Sequence, residues 1–346
     1  MGTTKAHPAR KPEAAGLPFV SVIVPTYNRA ALLPHLLHAI AGQIYPSSRL
    51  EMIVVDNSST DGTSELVKRW AEVTAFPVRY VEKTNDGPTS SRNLGASMAQ
   101  GDILAYTDSD CIPDACWIRN AARHLQAHPE VSVVCGPMLA LRTERGGMFG
   151  SQHEQTTRDT GLYPSGNLVL RTRCFREVGG YDERFGIYPW GALVRGEDTD
   201  LVWRARRRGH RAEFRDDVLV WHLPGPPPRL WRFLLQPVVM QIFPRLLRTV
   251  PELRESFLWR RYFVARDHAL FYLAAAGVIA TVRTGRLRHL GWTGPWLYEI
   301  RGLLGEELRR GGPVAAVKAL LLLAQHLAAC GLVLVYASLR YRRLVL

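Results

Sequence analysis

The chain has 346 residues, of which 47% are apolar and 22% charged, a composition that is typical of folded proteins and excludes a disordered chain. The length is sufficient for one large α/β domain with an additional segment. The net charge of +13 is unevenly distributed, because residues 222–346 carry 18 basic and 6 acidic side chains, whereas residues 1–221 carry 26 and 25. Such a basic region indicates an anionic partner, either a nucleic acid or the surface of an acidic bilayer.

The cysteines and the first residues of the chain bear on its compartment. The five cysteines are odd in number and include no C-x-x-C pair, which argues against a zinc module and a disulfide framework. A reducing compartment fits this pattern best. Residues 1–18 are rich in Ala, Pro and charge and lack the apolar core of a signal peptide. We expect a flexible leader there and a main domain that remains in the cytoplasm.

Strand and helix signals alternate along the first hundred residues. Apolar, largely β-branched runs predict four buried strands at 20–24, 52–55, 78–81 and 103–107. Helical signals lie between them, at 32–40, after 61–63 and at 88–99. This strict alternation predicts an α/β fold with a parallel sheet that is covered by helices on both faces.

Four short polar or glycine-containing loops follow the predicted strands, at 25–28, 56–61, 85–88 and 108–110. In parallel sheets ligands bind at the carboxyl ends of the strands, and helix N-termini after such loops offer free amides to phosphate oxygens. No G-x-G-x-x-G or G-x-x-x-x-G-K-[ST] follows any strand. A dinucleotide-binding or P-loop protein is therefore a poor fit.

Two aspartates close the fourth predicted strand. In an extended strand Leu104, Tyr106, Asp108 and Asp110 would share one face. Two carboxylates on one side form a hard-oxygen site for Mg²⁺ or Mn²⁺, and such an ion holds a diphosphate and neutralises it as it departs. The alternative interpretation is a polar turn whose aspartates accept hydrogen bonds from nearby backbone amides.

Seven short motifs follow one another along residues 22–201. In the first half these are VIVPTYNR at 22–29, VVDNSSTD at 54–61, SRNLG at 91–95 and TDSD at 107–110. In the second half they are GN at 166–167, VGGYDE at 178–183 and GEDTDL at 196–201. In this order the motifs resemble the landmarks of family 2 glycosyltransferases. The resemblance covers residues 19–222 and implies the GT-A fold, a Rossmann-like and mostly parallel sheet. It also implies a nucleotide-sugar donor and inversion at the anomeric carbon.

The resemblance assigns donor-binding roles residue by residue. It implies that Thr26 with its loop and Asp56 hold the base and ribose, and that Arg92 reaches the diphosphate. Because a carboxylate at Asp56 suits a uracil N–H, a UDP-sugar is expected, although the sequence DNS departs here from the DDG or DDS of many members. The full set of expected nucleotide-sugar residues is Pro25, Thr26, Tyr27, Asp56, Gly87, Arg92, Asp108 and Ser109.

The same resemblance implies metal, base and acceptor residues. Asp110 is expected to ligate Mn²⁺ or Mg²⁺, with Asp108 at the ribose or the ion and His222 completing the metal shell. Direct displacement requires a base for the acceptor hydroxyl, and the motif position favours Asp198, with Glu197 binding the acceptor or orienting the loop. On the acceptor side Trp190 and Asn167 are weaker candidates. Isolated, each of these residues also has an ordinary structural interpretation, as a turn cap, a helix-dipole partner or a packing residue.

The remaining chain is basic and apolar. We expect a catalytic domain at 19–222, with a nucleotide half to 110 and an acceptor half from 111, then a proline-rich linker at 223–228 and a helical tail at 229–346. Arginine and aromatic residues interleave in the tail, and two apolar stretches lie at 268–282 and 319–339. These features favour interfacial, re-entrant or transmembrane helices at the cytoplasmic face of a membrane over a nucleic-acid partner.

The leading hypothesis is therefore a metal-dependent inverting glycosyltransferase acting on a cytosolic or lipid-linked acceptor hydroxyl. A catalytically silent nucleotide-sugar-binding or scaffold protein is a second hypothesis, and an RNA-binding protein is a third. The sequence predicts neither the sugar nor the acceptor.

Overall fold

The computed structural model describes residues 16–141, 156–185, 196–223 and 236–346. The predicted leader up to residue 15, the predicted linker at 224–228 and Trp190 lie outside these ranges. The chain divides into two compact units: the described residues up to Leu223 belong to an N-terminal unit, and residues 236–346 belong to a C-terminal unit.

The strands of the N-terminal unit form two sheets. In the described residues they are β1 (Val20–Thr26), β2 (Leu50–Asp56), β3 (Val78–Glu82), β4 (Ile103–Tyr106), β5 (Cys111–Pro113), β6 (Val131–Cys135), β7 (Met138–Ala140), β8 (Leu168–Arg171), β9 (Arg211–Phe214) and β10 (Val220–His222). The larger sheet has the order β3-β2-β1-β4-β8-β6-β9. Its first four strands are mutually parallel, whereas β8 runs antiparallel to β4 and β6. The predicted α/β fold with a mostly parallel sheet is confirmed.

The helices of this unit follow the predicted alternation. They are α1 (Leu33–Ala41), α2 (Thr63–Val73), α3 (Pro88–Met98), α4 (Trp117–Ala127), α5 (Thr172–Glu177) and α6 (Glu197–Arg207). Helix α3 lies close against β1, since a Cβ atom on Gly95 would stand 2.6 Å from Cγ2 of Ile23. Gly87 precedes α3 with φ of 102°, a conformation that favours glycine, and Pro88 fits the first helical turn.

Strand β4 is shorter than predicted, and this changes the direction of the aspartates. Its pairing with β1 ends at Ile23 and Tyr106, and the amide of Cys111 then donates to the carbonyl of Asp108 at 3.0 Å in a turn. Asp108 and Asp110 therefore lie in a turn and not on an extended strand, so the prediction that they share a strand face with Tyr106 is wrong. The alternation of side chains holds only as far as the strand pairing continues.

The smaller sheet has the order β5-β10-β7. Strand β10 pairs antiparallel with β5, and this register places His222 opposite Cys111. The small sheet thus fixes His222 beside the residue that follows Asp110. This arrangement is not visible in the sequence, because Cys111 and His222 are 111 positions apart.

The C-terminal unit is helical. Its helices are α7 (Ile242–Thr249), α8 (Leu253–Ser256), α9 (Arg266–Thr284), α10 (Gly294–Glu299) and α11 (Arg301–Tyr341), with 3₁₀ turns at Gln236–Gln241 and Leu287–Thr293. Helix α11 is interrupted at Gly312, where φ is 70° and ψ is −170°, immediately before Pro313. The two predicted apolar stretches lie in α9 and α11. Among the described residues, α11 is the helix that is long and apolar enough to cross a membrane, judged by length and composition.

Asn167 connects three parts of the N-terminal unit. Its side chain is fully buried, at 0% exposure. Its Oδ1 accepts a hydrogen bond from Nε1 of Trp117 at 2.8 Å, and its Nδ2 donates to the carbonyls of Pro137 and Val218 at 2.9 and 2.7 Å. The side-chain amide of Asn167 is therefore bonded entirely within the protein interior, and its predicted role at the acceptor stays a prediction.

We predict that Asn167→Ala lowers the free energy of unfolding of the N-terminal unit by about 3–5 kcal/mol, because it leaves one buried donor and two buried carbonyls without partners. Denaturant unfolding of the full chain in detergent measures this loss. Asn120→Ala is the matched control, since Asn120 makes a single exposed bond to the carbonyl of Asp217. Equal midpoints for the two variants would contradict the assignment.

Candidate functional site

The first loop of the candidate site is the end of β1. Pro25 and Thr26 are its last strand residues, and the carbonyl of Thr26 accepts from the amide of Asn57 at 2.9 Å. The hydroxyl of Thr26 is buried and has no hydrogen-bond partner among the described residues. Tyr27 is exposed at this edge. Of the residues predicted to bind the nucleotide sugar, Thr26 thus offers a buried hydroxyl and Tyr27 an accessible ring.

Asp56 holds the second loop together. Its Oδ1 accepts hydrogen bonds from the amide and hydroxyl of Ser59 at 3.0 and 2.5 Å. Its Oδ2 accepts from the hydroxyl of Tyr80 at 2.6 Å. The side chain is completely buried. The structure therefore gives Asp56 the capping role that was the alternative interpretation, while its contact with a uracil base stays a prediction.

Arg92 connects the ends of the donor and acceptor halves. It lies in the second turn of α3 and is 5% exposed. Its Nη2 donates to Oδ1 of Asp108 and its Nη1 donates to Oε1 of Glu197, both at 2.9 Å. Burial disfavours the charge of Arg92, but the carboxylates of Asp108 and Glu197 outweigh this effect and raise its pKa. One guanidinium thus brings the carboxylate after β4 and the first residue of α6 together.

Glu197 and Asp198 begin α6 directly after Gly196, whose φ is 104°. Glu197 is buried, whereas Asp198 is only half-buried. The oxygens of Asp198 accept from the amide of Ser165 at 3.1 Å and from its neighbour Thr199 at 2.7 Å. Of the two carboxylates, Asp198 is therefore both held by backbone donors and accessible to a substrate.

Both carboxyl groups are harder to ionise than in water. Burial, together with the charge of Asp198, raises the pKa of Glu197 to about 7, although Arg92 acts in the opposite direction. Burial also raises the pKa of Asp198, against the lowering effects of Arg92 and of the two amide donors. Perturbed carboxyl groups of this kind cluster at catalytic sites, where a base needs a pKa nearer to neutrality.

A second group of ligand atoms lies beside Asp110. Atoms of Asp110, Cys111 and His222 all lie within 4.8 Å of one another. Nε2 of His222 is 3.4 Å from Oδ1 of Asp110, and an Arg29 nitrogen is 3.5 Å from Oδ2. Nδ1 of His222 is 2.8 Å from the carbonyl of Leu223, which can only accept. The proton of the neutral ring therefore lies on Nδ1, and the Nε2 lone pair is directed to the Asp110 side.

This group fits a divalent cation of the manganese or magnesium type. A carboxylate and a neutral imidazole are suitable donors for such ions, with the carboxylate preferred by Mg²⁺. Burial, followed by the charges of Asp108 and Asp110, raises the pKa of the Cys111 thiol well above its usual range, so the thiol stays protonated and is a poor ligand.

The other predicted site residues take separate positions. Asp108 lies outside the group around Asp110, and its Oδ1 accepts a hydrogen bond from Arg92. Its expected contact with the ribose or the ion stays a prediction. Its side chain is one-third exposed and thus remains accessible. Ser109 is buried between the two aspartates. Trp190 lies outside the described residues.

Several residues that contribute to the site had no role assigned from the sequence. Oδ1 of Asn93 accepts a hydrogen bond from the backbone amide of Tyr181 at 2.9 Å, and Nδ2 of Asn93 donates one to the backbone carbonyl of Tyr181 at 3.0 Å. Tyr80 holds Asp56, and Cys111 lies against Asp110. Asn93 and Tyr181 belong to the recognised motifs, so their positions were marked without their function, whereas nothing in the sequence connects Tyr80 to Asp56.

Comparison with known proteins identifies the family of this chain. Residues 21–181 match the model of glycosyl transferase family 2. Glycosyltransferase AglE of Haloferax volcanii is 30% identical over 217 residues, which cover 61% of this chain and 68% of that protein. The chain belongs to glycosyltransferase family 2, and it is a glycosyltransferase enzyme. It spans 52% and 46% of the length of two further relatives, so the whole activity of a relative is not transferred to it.

Solved structures share the fold. The mannosyltransferase PcManGT from Pyrobaculum calidifontis, in complex with GDP-Man and Mn²⁺, is 22% identical with a TM-score of 0.62, covering 93% of this chain and 88% of that one. S. aureus TarS 1–349 in complex with UDP is 20% identical with a TM-score of 0.51, covering 94% and 92%. The fold is thus of the GT-A type expected from the motifs.

Proposed function

We propose that this enzyme transfers a sugar, with inversion, from a nucleoside diphosphate sugar to an acceptor hydroxyl, with residues 19–222 as the catalytic domain. The observation that carries this proposal is the single guanidinium of Arg92, bonded at 2.9 Å to both Asp108 and Glu197. Arg92 therefore joins Asp108, on the donor side, directly to the first turn of α6. Donor and base are therefore adjacent, as direct displacement requires.

The chemistry follows from the accessible carboxylate. Asp198 takes the acceptor hydroxyl proton while the acceptor oxygen bonds to the anomeric carbon, and the bond from that carbon to the diphosphate oxygen breaks. The nucleoside diphosphate leaves with the electron pair of that bond. Glu197, bound to Arg92, keeps the first turn of α6 in place. The sequence resemblance favours a UDP-sugar, and the related structures carry either UDP or GDP-Man.

Asp110 and His222 would hold the divalent cation. When bound, Mn²⁺ or Mg²⁺ supplies positive charge that stabilises the departing diphosphate. The first loop, Pro25 to Tyr27, would hold the nucleoside. Gly87, which lies before the free amides of the first turn of α3, would leave room for the phosphates.

The base is tested with Asp198→Asn and a panel of UDP- and GDP-sugars, by measuring release of nucleoside diphosphate with and without acceptors. We expect kcat to fall on the order of 100-fold or more, because the amide cannot take the proton. Asp217→Asn, an exposed aspartate in the β9–β10 turn, is the matched control. In the wild type, activity falls as the pH falls through the raised pKa of Asp198, above the usual range for aspartate. Wild-type kcat in the Asp198 variant would reject the proposal.

The metal role has a readout that is independent of transfer. We expect Asp110→Ala and His222→Ala each to weaken Mn²⁺ binding on the order of tenfold or more, measured from the free-ion signal in electron paramagnetic resonance. Asp217→Ala should bind as the wild type does, and chelation by EDTA should stop transfer. Full transfer in EDTA would contradict a metal role.

We further propose that the C-terminal unit attaches the enzyme to the cytoplasmic face of a membrane, where a lipid-linked acceptor is accessible. Of the 23 large apolar side chains that are exposed in the described residues, 20 lie between Val239 and Leu344. Arginine-rich segments flank them, which suits anionic headgroups and retention on the cytoplasmic side. Peripheral, re-entrant and spanning arrangements all fit this description.

Flotation with phosphatidylglycerol vesicles tests the attachment. We expect the triple variant Leu321→Glu, Leu332→Glu, Leu339→Glu to leave the vesicle fraction, because these exposed side chains of α11 would enter the bilayer. Val73→Glu is the matched control, since Val73 is 80% exposed on the N-terminal unit. If high salt alone removes the wild type and the triple variant floats equally well, the apolar contact is refuted.

A further inference from the structure

The two terminal nitrogens of Arg92 are both engaged by the protein. Both terminal nitrogens bind carboxylates, and its central carbon lies 5.8 Å from the centre of the Tyr181 ring. Nε is buried and has no hydrogen-bond partner among the described residues. Arg92 is only 5% exposed where it lies, so moving it out towards a diphosphate, the role that the family resemblance implied, would break its bond to Asp108 or Glu197. For the buried Glu197 that step is especially unfavourable.

A continuous series of contacts connects Arg92 to Asp198 by two routes, one through Tyr181 and Ser165 and one through Glu197. Tyr181 lies beside the guanidinium, and its hydroxyl is 3.1 Å from Oγ of Ser165. The amide of Ser165 donates to Asp198, which follows Glu197 in α6, and Glu197 returns to Arg92. Asn93, next to Arg92 in α3, binds both backbone groups of Tyr181. Asp198 is thus held both through Ser165 and through its neighbour Glu197, and both connections begin at α3.

Arg92 is the one described cation bonded to both halves of the site. Loss of its charge would leave Glu197 and Asp108 without their partner and would release the first turn of α6 from the donor edge. Lysine does not replace it, because an ammonium is a single point charge without the planar fork of arginine. A displacement of about 1 Å in a reacting group is enough to reduce a rate on the order of 100-fold.

Building on the proposed function, we propose that Arg92 is a positioning residue. It acts through Glu197 to hold Asp198 at a fixed place relative to the donor, and it does not bind the diphosphate. Arg92 therefore contributes to the rate of transfer and not to the affinity for the nucleotide.

The test uses the full chain in detergent, with the donor selected from the panel and UDP and GDP as binding probes. Arg92→Met is expected to lower kcat on the order of 100-fold, while the Kd of the nucleoside diphosphate changes by less than about threefold. Arg92→Lys and Glu197→Gln should give intermediate losses of kcat, on the order of tenfold. The double variant Arg92→Met, Glu197→Gln should be no slower than Arg92→Met, since both substitutions break the same connection.

Controls separate this proposal from its alternatives. Arg79→Met removes a partly exposed arginine that pairs with Glu51 away from the site, and it should retain wild-type kcat. A rise in Kd of about tenfold with unchanged kcat in Arg92→Met would mean that Arg92 binds the diphosphate, which overturns the proposal. If Arg92→Met does not fold, the other two single variants decide the matter, and wild-type kcat in both overturns it. Asp198→Asn in the same assay tests the base itself, so failure of the proposed function is distinguished from failure of the positioning role.

Discussion

The site depends on one buried ionic interaction, the bonds from Arg92 to Asp108 and Glu197. Asp108, Glu197 and Asp198 approach one another where β4 ends and α6 begins, and burial alone would favour the protonated forms of Glu197 and Asp198. The guanidinium opposes this effect and favours the ionised form of Asp198, the proposed base. Removal of the guanidinium would destabilise the site, because a buried carboxylate that has lost its charged partner is strongly unfavourable.

The short length of β4 gives the two aspartates different surroundings. Strand pairing stops at Tyr106, and the turn that follows directs Asp108 to Arg92 while Asp110 comes to lie beside His222. The small sheet completes this separation, since β5 begins at Cys111 and pairs with β10. A turn of three residues thereby brings Asp108 to Arg92 and Asp110 to His222, whereas a continuous strand would have placed both aspartates on a single face.

Local patterns predicted the frame of the site but not its internal contacts. The buried strands, the loops at their carboxyl ends and the start of α3 at Pro88 follow from β-branched runs, turn residues and proline geometry, which act over a few residues. The interaction of Arg92 with Glu197 spans 105 positions, and periodicity carries no information at that range. Asn167 illustrates the same limit, because a motif residue that looked available for an acceptor is consumed by partners from three separate segments.

The C-terminal unit differs from the N-terminal unit in how it disposes of its apolar side chains. The first unit buries its apolar strands and α1 in a large core, whereas the second has small clusters around Ala274 and Ala319 and exposes 20 large apolar side chains. Exposed apolar area on this scale is unfavourable in water and marks an interaction surface. A bilayer is the partner that suits both these side chains and the surrounding arginines, since it offers hydrocarbon and anionic headgroups within a few ångströms. The proposed attachment therefore follows from the same hydrophobic effect that closes the catalytic core, satisfied in one unit by the protein itself and in the other by lipid.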